Sequence, residues 1–393
     1  MHNSVSDIMF RLFRANETRV HELNYLFWEC TTRCNLHCLH CGSDCAAATN
    51  DKDMPLEDFL RAFDTIPKSE IPRNFTVVLT GGEPLLRSDL SEIGHALRRR
   101  GVGWSMVTNG YLYDRAKHSQ LMDAGLGALT ISLDGLEEAH DWMRGHKGSY
   151  QRTLDAIAIA AQEKHINFDV VTCVNQRNLP QLHDIHDLLV SLGVPQWRIF
   201  TIIPIGRARN HPELHLTDSQ FVQLMEFIKD KREATTQAIK HSNNQAFMTV
   251  TFSCEGYLGR YERKVRQNPY FCHAGINIAS VLIDGTICAC PNIDRNAFAQ
   301  GNIYHDNLWQ VWQTRFQPFR DRSWARRGMC KDCKAFRNCL GNGMHNWHTV
   351  GDRSGAKGQA SLTVGDRSGA NGQVSLGDCQ EVINCHYHKT ISQ

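Results

Sequence analysis

The stretch Asn24-Tyr-Leu-Phe-Trp-Glu-Cys-Thr-Thr-Arg-Cys34-Asn-Leu-His-Cys38-Leu-His-Cys41 decides how this chain is read. An apolar, β-rich run, Tyr25–Trp28, is followed by three cysteines spaced Cys-x3-Cys-x2-Cys. Such spacings are too short for comfortable disulfides but suit a loop that wraps a metal centre. Working outward, the apolar run recurs as Phe75–Leu79, Trp104–Val107, Ala128–Leu133, Phe168–Val174 and Trp197–Ile203. Between these runs lie amphipathic segments, Leu56–Ile66, Leu90–Arg100, Arg115–Ala124, Tyr150–Glu163 and Leu182–Leu192. Six near-continuous apolar strands alternating with helices predict an α/β fold with a parallel sheet covered by helices. Periodicity alone does not separate a doubly wound sheet from a partial (β/α) barrel. In either, chemistry belongs at the carboxyl ends of the strands. Every candidate motif falls there: the cysteine loop, Gly81-Gly82-Glu83-Pro84, Thr108-Asn109-Gly110, Ser132 to Gly135, Asn175, and Pro204-Ile205-Gly206.

The totals exclude several classes. Of 393 residues, 41% are hydrophobic and 21% charged, with a net charge of +2. That balance gives no electrostatic reason for a nucleic-acid or acidic-membrane partner. The basic run Arg98-Arg99-Arg100 sits where a helix should end and complements its dipole. Met1 to Arg19 shows no apolar core of a signal peptide, and no run has the length expected of a membrane span. A cytoplasmic protein is expected. Fifteen cysteines, an odd number in a large chain without a signal, point to metal ligation rather than disulfides.

Residues 1–23 read as an extension and 24–215 as the strand–helix domain. Residues 216–253 supply a connecting helix and strand, the helix near Asp218–Arg232. From 254 the composition turns to Cys, Gly, Asn and Trp, which predicts a small module stapled by metal rather than by a large apolar core. That module takes residues 254–348 plus 377–393, interrupted by a tandem 14-residue duplication at 349–376. The duplication is rich in Gly and Ser and is expected to form a flexible surface loop.

Three thiolates from one loop leave one iron of a [4Fe–4S] cube open. A zinc site completed by Cys45 is the structural alternative. The sequence resembles the radical S-adenosylmethionine (SAM) superfamily, marked by Cys-x3-Cys-x2-Cys after the first strand of a (β/α)6 partial barrel. The resemblance implies a partial TIM-type barrel in which Cys34, Cys38 and Cys41 hold the catalytic cluster. SAM chelates the open iron and is cleaved reductively to a 5′-deoxyadenosyl radical. His40 stands where the family usually has an aromatic ring contacting adenine. Gly81, Gly82, Glu83 and Pro84 match the motif that binds the SAM amino group. Asn109, Ser132 and Asp134 are weaker, since each serves equally as a cap or turn residue, as does Asn175. Asp134 and Ser132 are implied near the SAM ribose and carboxylate, and Ile205 near adenine. Arg144 reads either as a carboxylate partner or as a surface residue.

Cys272, Gly285 and Cys290, then Cys330, Cys333 and Cys339, resemble the SPASM extension of peptide- and protein-modifying members, which carries auxiliary [4Fe–4S] clusters. The family's next cysteine position is Gly343 here. By that resemblance Cys254, Cys272 and Cys290 form a three-cysteine set, its fourth iron open or held by Cys288, His345 or substrate. Cys330, Cys333, Cys339 and Cys385 form the second set, with Cys379 as the alternative distal ligand. Structural zinc is the alternative for this region. Cys30 and Cys173, inside apolar strands, read as inert thiols. Asn24–Cys45, Cys254-Glu-Gly-Tyr and Gly341-Asn-Gly-Met-His-Asn-Trp347 further resemble the rSAM/lipoprotein system, whose members are encoded beside small putative lipoproteins.

The implied function is oxidative modification of a peptide or protein, with an electron donor such as flavodoxin or ferredoxin. The alternatives are a small-molecule substrate, such as a tetrapyrrole or quinone precursor, and a non-catalytic iron–sulfur carrier. No residue stands out as a catalytic acid, base or second radical.

Overall fold

A computed structural model describes residues 5–46, 52–241, 247–349, 380–382 and 385–391. Beyond Thr349 the tandem duplication lies outside the described residues, as does Cys379. Six strands, β1 (Tyr25–Thr31), β2 (Thr76–Gly81), β3 (Gly103–Thr108), β4 (Leu126–Ser132), β5 (Asn167–Val174) and β6 (Gln196–Thr201), pair in parallel. Their spatial order equals their chain order. A doubly wound sheet reverses direction at a switch point, so this unbroken order resolves the fold as the winding of a partial barrel. Helices α1 (Val5–Val20), α2 (Leu56–Phe63), α3 (Leu90–Arg99), α4 (Arg115–Asp123), α5 (Glu137–Arg144), α6 (Ser149–Ala160) and α7 (Leu182–Ser191) precede or alternate with these strands.

The sheet runs further than the six repeats. After α8 (Asp218–His241), β7 (Thr249–Phe252) joins β6 in parallel. On the opposite edge, β8 (Ile278–Val281) joins β1 in parallel and carries the antiparallel β9 (Thr286–Cys288) and β10 (Gly301–Asn302). The C-terminal module thus continues the barrel sheet. Its stability also departs from the metal-stapled expectation. Phe298, Trp312, Phe316, Phe319 and Trp347 are each less than 2% exposed and belong to the same core as the barrel. Fully burying a large apolar side chain is worth about 1.5–3 kcal/mol, so these residues give the module substantial apolar stabilisation through the core it shares with the barrel.

Two buried charges join the parts. Glu29, inside β1, accepts from the Ile283 amide (3.0 Å) and from Arg295 (3.1 Å). Arg14 of α1 donates to the carbonyls of Asn338 (2.6 Å) and Arg337 (2.7 Å), pinning the N-terminal helix to the C-terminal module. In the barrel, Trp28 stacks on Phe59 with ring centroids 4.1 Å apart, closing α2 onto β1.

Candidate functional site: a four-thiol cavity at the barrel rim

The loop after β1 is held at both ends before any metal is considered. The Cys34 amide donates to the Ala46 carbonyl (2.9 Å), and the Ala46 amide to Thr32 (3.3 Å), so the chain returns to its own start. Amides of His37 and Leu39 donate to the Arg144 and Met143 carbonyls at the end of α5 (3.1 and 2.9 Å). Arg207, just past β6, donates through Nε to the Cys38 carbonyl (2.8 Å) and through Nη1 to the Cys45 carbonyl (2.9 Å). The loop therefore rests on β1, α5 and the β6 rim together.

Cys34, Cys38 and Cys41 line one cavity of about 150 Å3, with Cys45 beside them. Burial pushes the Cys34 thiol up to about 11 and also raises Cys38. A low-dielectric pocket resists several thiolates unless a cation shares their charge. Cys41 is lowered to about 6, chiefly by a hydrogen bond from Cys45, whose own thiol is raised by that contact. Converging thiols, a fixed loop and Arg144 Nη1 3.7 Å from Cys38 Sγ fit a thiolate-held iron–sulfur cluster.

The glycine turn after β2 closes the far wall. Gly81 has φ +128°, and a Cβ there would stand 2.1 Å from the Thr31 carbonyl oxygen; one on Gly82 would stand 2.1 Å from that of Arg33. Only glycine lets this turn pack so tightly beside the cysteine loop. Glu83 sits behind the turn, fully buried. Its carboxylate accepts from the Leu85 amide (3.0 Å), Thr108 Oγ1 (2.7 Å) and the Asn109 amide (2.8 Å). Burial raises its acid while those three donors oppose the shift. In this arrangement Glu83 locks β2 to β3.

His40, Gly81, Gly82, Asn109 and Ser132 line the cavity, whereas Pro84 and Asp134 are buried and Ile205 lines an adjacent cleft. Asn109 bridges to the cysteine loop through Asn35 Oδ1 (2.8 Å) and closes its own turn by accepting from the Tyr111 amide (2.9 Å). Asp134 is 1% exposed. It accepts from the Cys173 amide (2.8 Å) and pairs with Arg144 (2.8 Å). Burial pushes its acid up, but the Arg144 guanidinium outweighs this together with His40 and the Cys173 amide, so the carboxyl ends below its ordinary range. Burial also lowers His40 to about 4, leaving a neutral ring 3.6 Å from Asp134. Asn175 accepts from the Arg177 amide (2.8 Å) and the Asn178 amide (3.1 Å), so it closes a turn. Arg144 is buried, and the carboxylate it meets is the chain's own. Arg207 carried no spacing signal in the sequence, whereas Thr108, the last residue of β3, opens the rim motif Thr108-Asn109-Gly110.

The later cysteines gather in two places. Burial raises Cys290, and the neighbouring Cys254 and Cys272 raise it further. Burial lifts Cys330 to about 11, with Cys385 and Cys333 adding to the effect. Cys339 is raised by burial and then by Cys385. Cys385 thus returns beside the Cys330 group. Cys288 instead donates toward the Phe298 carbonyl (3.6 Å) inside the core. At Gly343 a Cβ would stand 2.5 Å from the His345 ring, so His345 fills the space a side chain at 343 would need. Cys30 is fully buried, bonded to the Thr80 carbonyl and pushed up to about 12 by burial, as an inert thiol should be. Cys173 is likewise raised by burial, and its sulfur lies within 4.8 Å of ligand atoms of His40 and Asp134.

Comparison with known proteins agrees with this geometry. A model of the radical SAM superfamily matches residues 28–189, and one of the SPASM iron–sulfur cluster-binding domain matches 272–334. The chain is 29% identical to an AdoMet-dependent heme synthase of Oleidesulfovibrio alaskensis, over 80% of this chain and 81% of that protein. It is 28% identical to the mycofactocin maturase MftC of Mycolicibacterium smegmatis, over 81% of this chain and 77% of that one. The crystal structure of Streptococcus suis SuiB bound to S-adenosylmethionine superposes with a TM-score of 0.63 at 15% identity, covering 88% of this chain and 80% of that one. At that identity the likeness is one of fold. The cofactors are SAM and [4Fe–4S] clusters, which supply the reducing electron and the radical precursor. No helix among the described residues is long and apolar enough to cross a membrane. The cysteine loop and the glycine turn fall inside the first match and the cysteines from Cys272 to Cys333 inside the second, so the chain carries a radical SAM domain and a SPASM domain.

Proposed function

We propose that this radical SAM enzyme oxidatively modifies a peptide or protein, a small lipoprotein being the candidate substrate, with reducing electrons from a flavodoxin or ferredoxin. In this reading residues 24–215 hold SAM, and 254–348 with 377–393 hold the auxiliary clusters. Cys254, Cys272 and Cys290 ligate one auxiliary cluster, and Cys330, Cys333, Cys339 and Cys385 the other. His40, the Gly81-Gly82 backbone, Asn109 and Ser132 meet SAM in their cavity.

The observation that carries the substrate class is a cleft of about 290 Å3 next to that cavity. Gly42 and Ser43, which follow Cys41, form one wall, and residues 291–295, which follow Cys290, form the other. A substrate lying in it is flanked by ligands of the radical-generating cluster and of an auxiliary cluster. Hydrogen abstraction and onward electron transfer then need no movement of the substrate. The lining is mostly glycine, polar and charged residues, with Ile205, Pro291 and Ile293 as its apolar members. Such a surface suits the backbone and side chains of an extended peptide better than a flat macrocycle, which favours broad apolar walls.

A second reading, a tetrapyrrole substrate, is favoured by the relatives that are AdoMet-dependent heme synthases. The cleft also contains Arg209 and Arg295, a residue type that recognises carboxylates. The test is anaerobic turnover of the reconstituted enzyme with SAM and reductant, offering a small lipoprotein precursor and an iron porphyrin in separate reactions. A SAM-dependent mass change on the polypeptide supports the first reading. A mass change confined to the porphyrin overturns it in favour of the second.

A further inference from the structure

Cys45 is not one of the three motif cysteines, yet it is 3% exposed and lines the same cavity. Its sulfur is hydrogen-bonded to Cys41. Its position is fixed on both sides. The Ala46 backbone closes onto Thr32 and Cys34, and Arg207 holds the Cys45 carbonyl at 2.9 Å. The buried packing group formed there contains Cys34, Leu36, Cys38 and Cys45, with Cys41 and Tyr111 against it. Beside Leu36 and Tyr111, Cys45 shares this group and the cavity lining with Cys34, Cys38 and Cys41.

We infer that Cys45 is a reversible fourth ligand of the catalytic cluster, capping the open iron until SAM displaces it. The inference rests on the cluster assignment to Cys34, Cys38 and Cys41 and goes beyond it. Capping is a ligand exchange with no change in oxidation state. The thiol loses its proton to solvent and an iron–sulfur bond forms. SAM binding breaks that bond, places its amino and carboxylate groups on the iron, and returns a proton to Cys45. The cap shields the exposed iron between turnovers and makes radical generation contingent on SAM occupancy. It also weakens apparent SAM affinity, because only the uncapped fraction binds.

The test compares reconstituted full-length wild type with Cys45→Ala and Cys45→Ser, at matched iron content. The readouts are SAM affinity by anaerobic equilibrium dialysis and the EPR spectrum of the dithionite-reduced protein with and without SAM. The SAM-dependent part of the spectrum isolates the cluster that meets SAM from the others. If the capped form outnumbers the open one by about ten to one, both variants bind SAM about tenfold more tightly. Their SAM-free spectra also differ from that of wild type, while the SAM-bound spectra coincide. Unchanged affinity and unchanged SAM-free spectra in both variants overturn the inference. Wild type that takes up no iron at this site refutes the cluster assignment instead, a different failure. The serine variant retains the side-chain volume, so a folding defect confined to alanine leaves the comparison intact.

Discussion

Glu255 and His386 meet at 3.2 Å in the buried interior, and each directly follows a cysteine assigned to a different auxiliary cluster, Cys254 and Cys385. Glu255 also accepts from the Thr201 amide (2.7 Å) and the Thr201 hydroxyl at the end of β6. One carboxylate thus fixes both cluster regions to the barrel. Replacing His386 by alanine frees the C-terminal helix His386–Ile391 and with it Cys385. Iron content is expected to fall by about 4 per chain, one [4Fe–4S] cluster, from about 12. Formation of 5′-deoxyadenosine should persist, because the first cluster is untouched. Full iron in His386→Ala would place the distal ligand elsewhere, and Cys379→Ala is then the variant to count.

How much of this could be read from residues alone depends on the range of the interaction. The six strand–helix repeats and their rim motifs were legible because period and turn chemistry are local. The closing strands were not: Ile278-Ala-Ser-Val281 is four residues long, and only tertiary pairing with β1 makes it a barrel strand. Arg144 read equally well as a surface residue, because nothing local reveals that α5 points it at Asp134 and Cys38. Glu83 shows the converse. The motif identified the residue, but two donors arriving from the end of β3, Thr108 and Asn109, beside the Leu85 amide of its own turn, show what its carboxylate holds.

Arg144 yields a prediction that a surface arginine would not. It is the charge partner of Asp134, which is buried beside it. Arg144→Met removes the cation and strands the carboxylate, an expected cost of about 3–5 kcal/mol. Urea unfolding measures this directly. Pairing it with Asp134→Asn should recover much of the loss, since the double variant buries no lone charge. Equal stability of wild type and Arg144→Met would remove the ion pair from the account of the site.

Glu83→Gln tests the lock behind the glycine turn. An amide group has one oxygen acceptor, so at least one of the donors from Leu85, Thr108 and Asn109 faces an NH2 instead. A buried unsatisfied donor costs about 1–3 kcal/mol. Thermal unfolding should register that loss, and SAM affinity should fall with it, because Gly81 and Gly82 lose their backing. A variant with weakened SAM binding at unchanged stability would point instead to direct contact between the carboxylate and SAM.

His140 gives the acid limb of stability a specific origin. It is fully buried on α5, and Nδ1 accepts from the Asp134 amide at 3.1 Å, which leaves the proton on Nε2 facing Thr153 Oγ1 at 3.4 Å. Burial, helped by the Arg144 guanidinium, lowers its pKa to about 3. The unfolded chain restores an ordinary value of about 6.5. Between those values the unfolded state binds a proton that the folded state refuses, so stability rises with pH across that interval. The contribution is complete above about 6.5 and is lost on acidification, at up to about 1.4 kcal/mol per pH unit for one proton. Urea midpoints measured from pH 7 down to pH 5 should fall in wild type. His140→Asn preserves an acceptor for the Asp134 amide but cannot titrate, so its midpoint should fall less steeply over the same interval. Parallel slopes for the two proteins would assign the acid sensitivity to other groups.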